Sequence, residues 1–278
     1  RMLIMDQIIN KYCSKKAGKF DCIIGVSGGK DSTRQAVWVR DKLKLNPLLV
    51  CCSYPPEQIT ELGAFNLSNL IELGFDVLIS APSPTTWKSV LKNSFFSGNY
   101  LRGPELALHS SLPQIAIRYG IKLIFWGENP ATSWNDSKTK MSDPYDGNLL
   151  RNANTLKNCN LDWMNDFISG EEKKIPYTYP TKKEFEQKNI QIIFLAWFWS
   201  DFSMSKNAKV SCSYGLDIRK DQPLNTGDLY GVMALDEDWV TLNQMIKYYK
   251  FGFGRATDYL NFEIRSKKIS REDALIIV

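Results

Sequence analysis

Residues 20–33 read FDCIIGVSGGKDST, and this stretch limits the architecture more than any other. The apolar run Asp21-Cys22-Ile23-Ile24-Gly25-Val26 has the length and composition of a strand buried on both faces, as strands of parallel sheets are. It runs into two glycines, and the residues after them can open a helix. That order aims backbone N–H groups and the positive end of a helix at one point, which suits a phosphate. Gly28 and Gly29 let the backbone approach closely and take unusual dihedrals. Ser27 and Ser32 supply hydroxyls, Lys30 a charge, and Asp31 a link to Mg²⁺. Neither G-x-x-x-x-G-K-[ST] nor G-x-G-x-x-G follows this strand, so the two better-known phosphate loops do not apply. A bland strand–turn–helix can carry two glycines and two serines. All six of Ser27-Gly28-Gly29-Lys30-Asp31-Ser32 in this context argue against it.

Downstream, strand and helix patterns alternate. A helix is expected over 2–16, ended by Gly18, then a strand over 20–26, a helix over 31–43 and a strand over 48–53. A helix over 57–73, a strand over 75–80, helices over 84–96 and 104–119, and a strand over 122–126 follow. The reading is an α/β fold, a parallel twisted sheet with helices on both faces. Such sheets bind ligands at the carboxyl ends of their strands, where Ser27, Ser53, Ser80 and Gly127 fall. Residues 128–160 are polar and loop-like, and a loop of that length is commonly functional. Short helices near 161–168 and 181–189, a strand over 191–199, and helices over 203–215, 238–250 and 256–267 come next. We therefore expect an α/β domain over 1–130 and a mainly helical extension over 131–278, packed as one unit, with the extension closing over the nucleotide site.

Two further clusters carry candidate chemistry. Gly127 permits a ligand against the backbone, and Glu128 and Asn129 would point into the crevice; a plain polar turn after the strand is the bland alternative. In KYYKFGFGRATD (247–258), the glycines, Gly254 among them, permit tight approach. Arg255 there offers a bidentate fork for phosphate or carboxylate, flanked by Lys250 and Asp258. A helix–helix turn with a surface arginine is its bland counterpart.

Composition narrows the class. The chain has 278 residues and a net charge of +5, a mild excess that suits an anionic small molecule better than a nucleic-acid surface. The six cysteines contain no C-x-x-C pair, which leaves a zinc ribbon or iron–sulfur site without support, and the single histidine, His109, leaves little room for His-based chemistry. No signal peptide or membrane-length apolar run is evident, so a cytoplasmic protein with neither nucleic acid nor membrane as partner is expected. Both ends look cut: Ser270 and Asp273 resemble a helix-capping pair just before the end of the chain.

SGGKDS resembles the pyrophosphate loop of the N-type ATP pyrophosphatases. Together with KLKLNPLLV (42–50), LIFWGENPA (123–131), KYYKFGFGRATD (247–258) and IRSKKISREDALIIV (264–278), it is similar to the N-acetyl sugar amidotransferase family of bacterial surface-polysaccharide and flagellar-sugar pathways. The likeness spans roughly residues 20 to 278. It implies an adenine nucleotide alpha hydrolase-like fold with ATP and Mg²⁺ as cofactors. It also implies conversion of an acetamido group on a sugar to an acetamidino group. The amide oxygen takes AMP from ATP with release of pyrophosphate, and ammonia then displaces AMP. Ammonia would come from a separate glutaminase subunit.

In that reading Val26, Ser27, Gly28, Gly29, Lys30, Asp31, Ser32, Ser53 and Gly127 bind the nucleotide, with Asp31 holding Mg²⁺. Lys30, Asp31, Glu128 and Arg255 are catalytic. Glu128, Asn129, Lys250, Gly254, Arg255 and Asp258 face the sugar, and Asp258 can alternatively hold Arg255. Many family members carry cysteine-rich segments, but here the corresponding stretch runs Tyr100 to Glu105 without cysteine, so no metal role carries over. The alternatives are a tRNA-modifying enzyme with the same loop, of the thiolation or lysidine type, and a non-catalytic nucleotide-binding subunit.

Overall fold

The structure, a computed structural model, describes residues 1–13, 19–128, 137–220 and 227–278. Gly18 and the candidate Asn129 lie outside the described residues.

Five strands form one parallel sheet in the order β3-β2-β1-β4-β5. They are β1 (Cys22–Gly25), β2 (Pro47–Cys52), β3 (Val77–Ser80), β4 (Leu123–Trp126) and β5 (Gln191–Phe194). Around it lie α1 (Met2–Tyr12), α2 (Lys30–Asp41), α3 (Glu61–Glu72), α4 (Pro84–Phe96), α5 (Arg102–Tyr119), α6 (Lys182–Lys188), α7 (Met204–Cys212), α8 (Trp239–Phe251), α9 (Arg255–Arg265) and α10 (Arg271–Ile277).

The pleat sends successive residues of β1 to opposite faces. Cys22 and Ile24 join Leu49 and Phe125 under Met5 of α1 and Ala36 and Val39 of α2. Ile23 joins Leu48, Val50 and Ile124 under Leu112, Ile115 and Ala116 of α5. Helices thus cover both faces, as the apolar run in β1 requires. The strand order reverses direction between β2-β1 and β4, which opens the ligand crevice at the carboxyl end of β1.

Several expected elements differ. β5 comes from beyond residue 130 and pairs with β4 through Leu123↔Gln191 to Trp126↔Phe194, so the sheet spans the boundary expected there. The apolar run 191–199 is strand only to Phe194; Leu195–Phe198 is a 3₁₀ turn, in which the Ala196 amide donates to the Gly127 carbonyl (3.1 Å) at the end of β4. The single helix expected over 57–73 is broken. Pro56–Gln58 is a 3₁₀ turn, Ile59 bridges Glu237 in antiparallel fashion, and Thr60 caps α3 by accepting from the Gly63 amide (2.8 Å). A long-range pairing that local pattern does not encode overrides helix propensity there. Ser270 caps α10 as its sequence indicates, accepting from the Asp273 amide at 3.0 Å.

Candidate active site

The glycine loop bridges β1 and α2. Val26 continues the ladder: its amide donates to the Val50 carbonyl (2.9 Å). That amide is therefore taken up by the sheet. Gly28 sits at φ +80°, and a Cβ added there would lie 2.9 Å from the Leu67 amide nitrogen and 3.1 Å from the Asn66 carbonyl carbon. Both the dihedral and the close approach to α3 demand glycine. Gly29 is extended and is the N-cap of α2, so Lys30 and Asp31 occupy the first helical turn. Ser32 is knit into the loop, its hydroxyl donating to the Gly29 carbonyl (3.2 Å) and accepting from the Ser27 amide (3.4 Å).

Lys30 is only 6% exposed. Its Nζ meets Asp31 Oδ2 at 2.7 Å and Met233 Sδ at 3.0 Å. Asp31 Oδ1 accepts from Asn207 Nδ2 at 2.5 Å, and Asn207 Oδ1 accepts from Arg34 Nη1 at 2.5 Å. One turn on, Ser211 donates to the Lys30 carbonyl (2.5 Å). α7 therefore orients the first turn of α2 through two buried polar residues four apart. Sequence reading missed both; the only available signal is an Asn and a Ser on one face of a short helix.

Glu128 joins this group. Burial raises its carboxyl above the usual range, the nearby Asp31 carboxylate pushes the same way, and Lys30 opposes. Gly127 packs beside Gln35: a Cβ there would lie 2.7 Å from Gln35 Nε2. Arg255 opens α9 and is 5% exposed, with its Nη1 lacking a hydrogen-bond partner among the described residues. Its neighbour is the turn at Gly227, where an added Cβ would lie 3.8 Å from Arg255 Cβ. Asp228, fully buried, accepts from the Met233 amide (2.8 Å) and the Tyr230 amide (3.1 Å), which shapes the turn that delivers Met233 to Lys30. The Tyr259 hydroxyl senses this whole group. Burial raises it most, followed by Asp228, with Arg255 opposing and Asp258 and Asp31 adding to the rise. Asp228 was not foreseen from the sequence.

Two expected sugar-facing residues are engaged elsewhere. Asp258 pairs with Lys247, not Arg255. Lys250 is exposed, its Nζ meeting the Gly98 carbonyl (3.4 Å) rather than the glycine loop. At Gly254 an added Cβ would meet nothing closer than 4.0 Å, so no tight backbone approach requires glycine there.

Beside the loop lies a cavity of about 240 Å³ lined by Ser27, Ser53, Tyr54, Gly63, Ile79 and Asp236 among others. Burial and the adjacent Glu237 push the Asp236 carboxyl up to about 7, against its own backbone amide, Arg219 and Lys30. The folded state therefore binds a proton here that the unfolded chain releases near pH 4. Between those values stability falls as pH rises, because the unfolded state binds fewer protons. Asp236→Asn is expected to remove this fall and to raise stability at pH 8 by about 1–3 kcal/mol. Urea unfolding of both proteins at pH 5 and pH 8 checks it; an equal pH dependence in the two would refute it.

A five-stranded parallel sheet with helices on both faces, carrying a glycine loop and a buried lysine at the N-terminus of its first crossover helix, defines a doubly wound α/β protein. Residues 227–278, the segment that carries Asp228, Met233, Asp236 and Arg255, match the family model described as "LPS biosynthesis protein WbpG-like, C-terminal domain". No curated protein matches the chain. Among solved structures, the chain is similar to a predicted subunit of a tRNA methyltransferase from Methanocaldococcus jannaschii, at 16% identity and a TM-score of 0.36 over 69% of this chain and 75% of that one. It is also similar to the U34-tRNA thiolase NcsA from Methanococcus maripaludis with its [4Fe-4S] cluster, at 12% identity and a TM-score of 0.28 over 84% of this chain and 87% of that one.

The residues present fit a nucleotide polyphosphate. Gly28 turns the loop at φ +80° into the N-terminus of α2, the Lys30 ammonium stands at that N-terminus, and Arg255 has a nitrogen without a hydrogen-bond partner among the described residues. Among the described residues no group of three or more His, Cys, Asp or Glu is placed to hold a metal ion. All six cysteines are free thiols. Mg²⁺ is commonly bound through one or two carboxylates plus substrate phosphates, a role open to Asp31. No helix of the described residues is long and apolar enough to cross a membrane.

Proposed function

We propose that this chain is the ATP-using subunit of an amidotransferase that converts a sugar acetamido group to an acetamidino group in lipopolysaccharide or related surface-sugar biosynthesis. The observation that carries the reading is the meeting of two segments. The loop residue Lys30 is met by Met233, whose amide is held by Asp228, and both come from the stretch that matches the WbpG-like C-terminal domain and also carries the buried Arg255.

An amide oxygen is a weak nucleophile, and the hydroxyl it would leave as is a poor leaving group. Attack of that oxygen on the α-phosphorus of ATP breaks the bond to the β-phosphoryl oxygen and releases pyrophosphate. Ammonia then adds to the activated carbon, and AMP leaves with the former amide oxygen. The chain's own work is positioning and charge stabilisation. The Gly28–Lys30 turn and the first amides of α2 cradle the departing pyrophosphate. Asp31 would hold Mg²⁺, which would supply neutralisation of part of the polyphosphate charge. Arg255 contributes a fixed positive charge with an unfilled donor. Glu128, raised by burial, is suited to take the proton that ammonia loses or to orient the acetamide N–H. A separate glutaminase supplies the ammonia.

Incubation with ATP, Mg²⁺, ammonium and a panel of acetamido sugars tests the proposal. The expected result is sugar-dependent pyrophosphate release and a product lighter by the difference between O and NH. Nucleotide binding without turnover would instead support a non-catalytic subunit, and a salt-sensitive tRNA complex a tRNA-modifying enzyme. In the same assay Arg255→Ala is expected to lower kcat/KM about 10²-fold. Full activity in that variant would remove Arg255 from the site.

A further inference from the structure

We propose that Asp236 reads the ribose hydroxyls of the bound nucleotide and thereby makes the site selective for ribonucleotides; this rests on the nucleotide reading above. The segment 235–237 comes from far along the chain and is pressed against the start of α3. A Cβ on Gly63 would lie 2.5 Å from Asp236 Cα and 2.7 Å from its carbonyl oxygen. Thr60 fastens the contact, its amide donating to the Asp236 carbonyl (3.2 Å) and its hydroxyl to the Leu235 carbonyl (2.5 Å). Glu237 is tied down separately: Gln58 Nε2 donates to it (3.2 Å), and Trp87 Nε1 donates to Gln58 (2.9 Å). These anchors fix the backbone of Asp236, and the residue lines the cavity shared with Ser27 and Ser53.

The cavity has two ends. α3 lines it from Gly63, which touches Asp236, to Ile71, and at the helical rise those two positions are about 12 Å apart. Ile71 and Ile79 make the far end apolar, suited to a base. Asp236 at the near end lies within electrostatic reach of Lys30 and beside Cys51, at the carboxyl end of β2. A nucleoside laid along the cavity with its base against Ile71 and Ile79 brings its sugar to the near end, beside Asp236, with its phosphates directed on toward Lys30. An acidic side chain there offers an acceptor oxygen to a vicinal diol in either protonation state and accepts from both hydroxyls once ionised, the chemistry by which an acidic residue recognises ribose in dinucleotide folds.

Calorimetry of Mg²⁺-ATP, 2′-deoxyATP, 3′-deoxyATP and ITP, without sugar, tests this on the wild-type chain, Asp236→Ala and the isosteric Asp236→Asn. We expect the wild type to bind ATP at least about tenfold more tightly than either deoxynucleotide, and both variants to lose that preference while still binding ATP. The preference is a ratio within each protein, so a modest stability change does not mimic it. Equal binding of ATP and the deoxynucleotides by the wild type, or a preference kept by Asp236→Asn, overturns the ribose role and leaves the nucleotide site standing. A variant that changes the ATP-to-ITP ratio alone also overturns it, in favour of base recognition. Failure of the wild type to bind any of the four defeats this inference and the nucleotide reading together.

Discussion

Lys30→Ala is expected to lower kcat/KM for sugar-dependent pyrophosphate release by about 10³-fold, the upper range for loss of one preorganised donor at a developing negative charge. The expectation comes from where the ammonium sits. It is buried at the first turn of α2, where the helix dipole adds to its charge, and water cannot replace it freely. Its contacts hold it in one place: Asp31 on one side and Met233 on the other. Asp31 keeps its bond from Asn207 when Lys30 is truncated, so the loop retains an anchor. Steady-state kinetics with a thermal melt as control checks the result. A fall below tenfold in a folded variant would mean that the departing charge is stabilised elsewhere.

Gly63→Ala is expected to cost about 2–3 kcal/mol of stability, in the range for forcing extra volume into a packed site. The obstacle is main chain: the nearest atoms to the added methyl are Asp236 Cα, carbonyl oxygen and carbonyl carbon, at 2.5, 2.7 and 2.9 Å. A side chain can turn away, but these atoms move only if segment 235–237 or α3 moves. Either shift breaks the Ile59–Glu237 bridge and the two hydrogen bonds made by Thr60. The variant is also expected to weaken ATP binding, since Asp236 is displaced. Gly254→Ala is the matched control and is expected to be near neutral, because an added methyl there meets nothing closer than 4.0 Å. Urea denaturation of both variants tests the pair, and equal midpoints for Gly63→Ala and wild type would refute it.

Residues 20–33 carried most of what was legible. A two-sided apolar strand, a glycine pair and a helix start are all encoded within a few residues, and the structure places them as β1, the Gly28 turn and α2. The alternation of strands and helices through Trp126 was equally readable, because periods of two and 3.6 are local. The parallel sheet followed from it. The reading failed where a distant segment decided the local structure. The helix expected over 57–73 broke at Ile59 because Glu237 pairs with it.

The sequence by itself therefore determined the glycine cradle, the helix that follows it, and the parallel strands that frame it, since each rests on dihedral freedom, capping and periodicity over short spans. Only the tertiary structure decided who surrounds Lys30 and Asp31. Met233 stands 203 residues from Lys30 and Asn207 stands 176 from Asp31, and contacts at such separations arise from packing whole helices and turns against the sheet. A buried polar side chain needs a partner, and the fold alone selects which one is within reach.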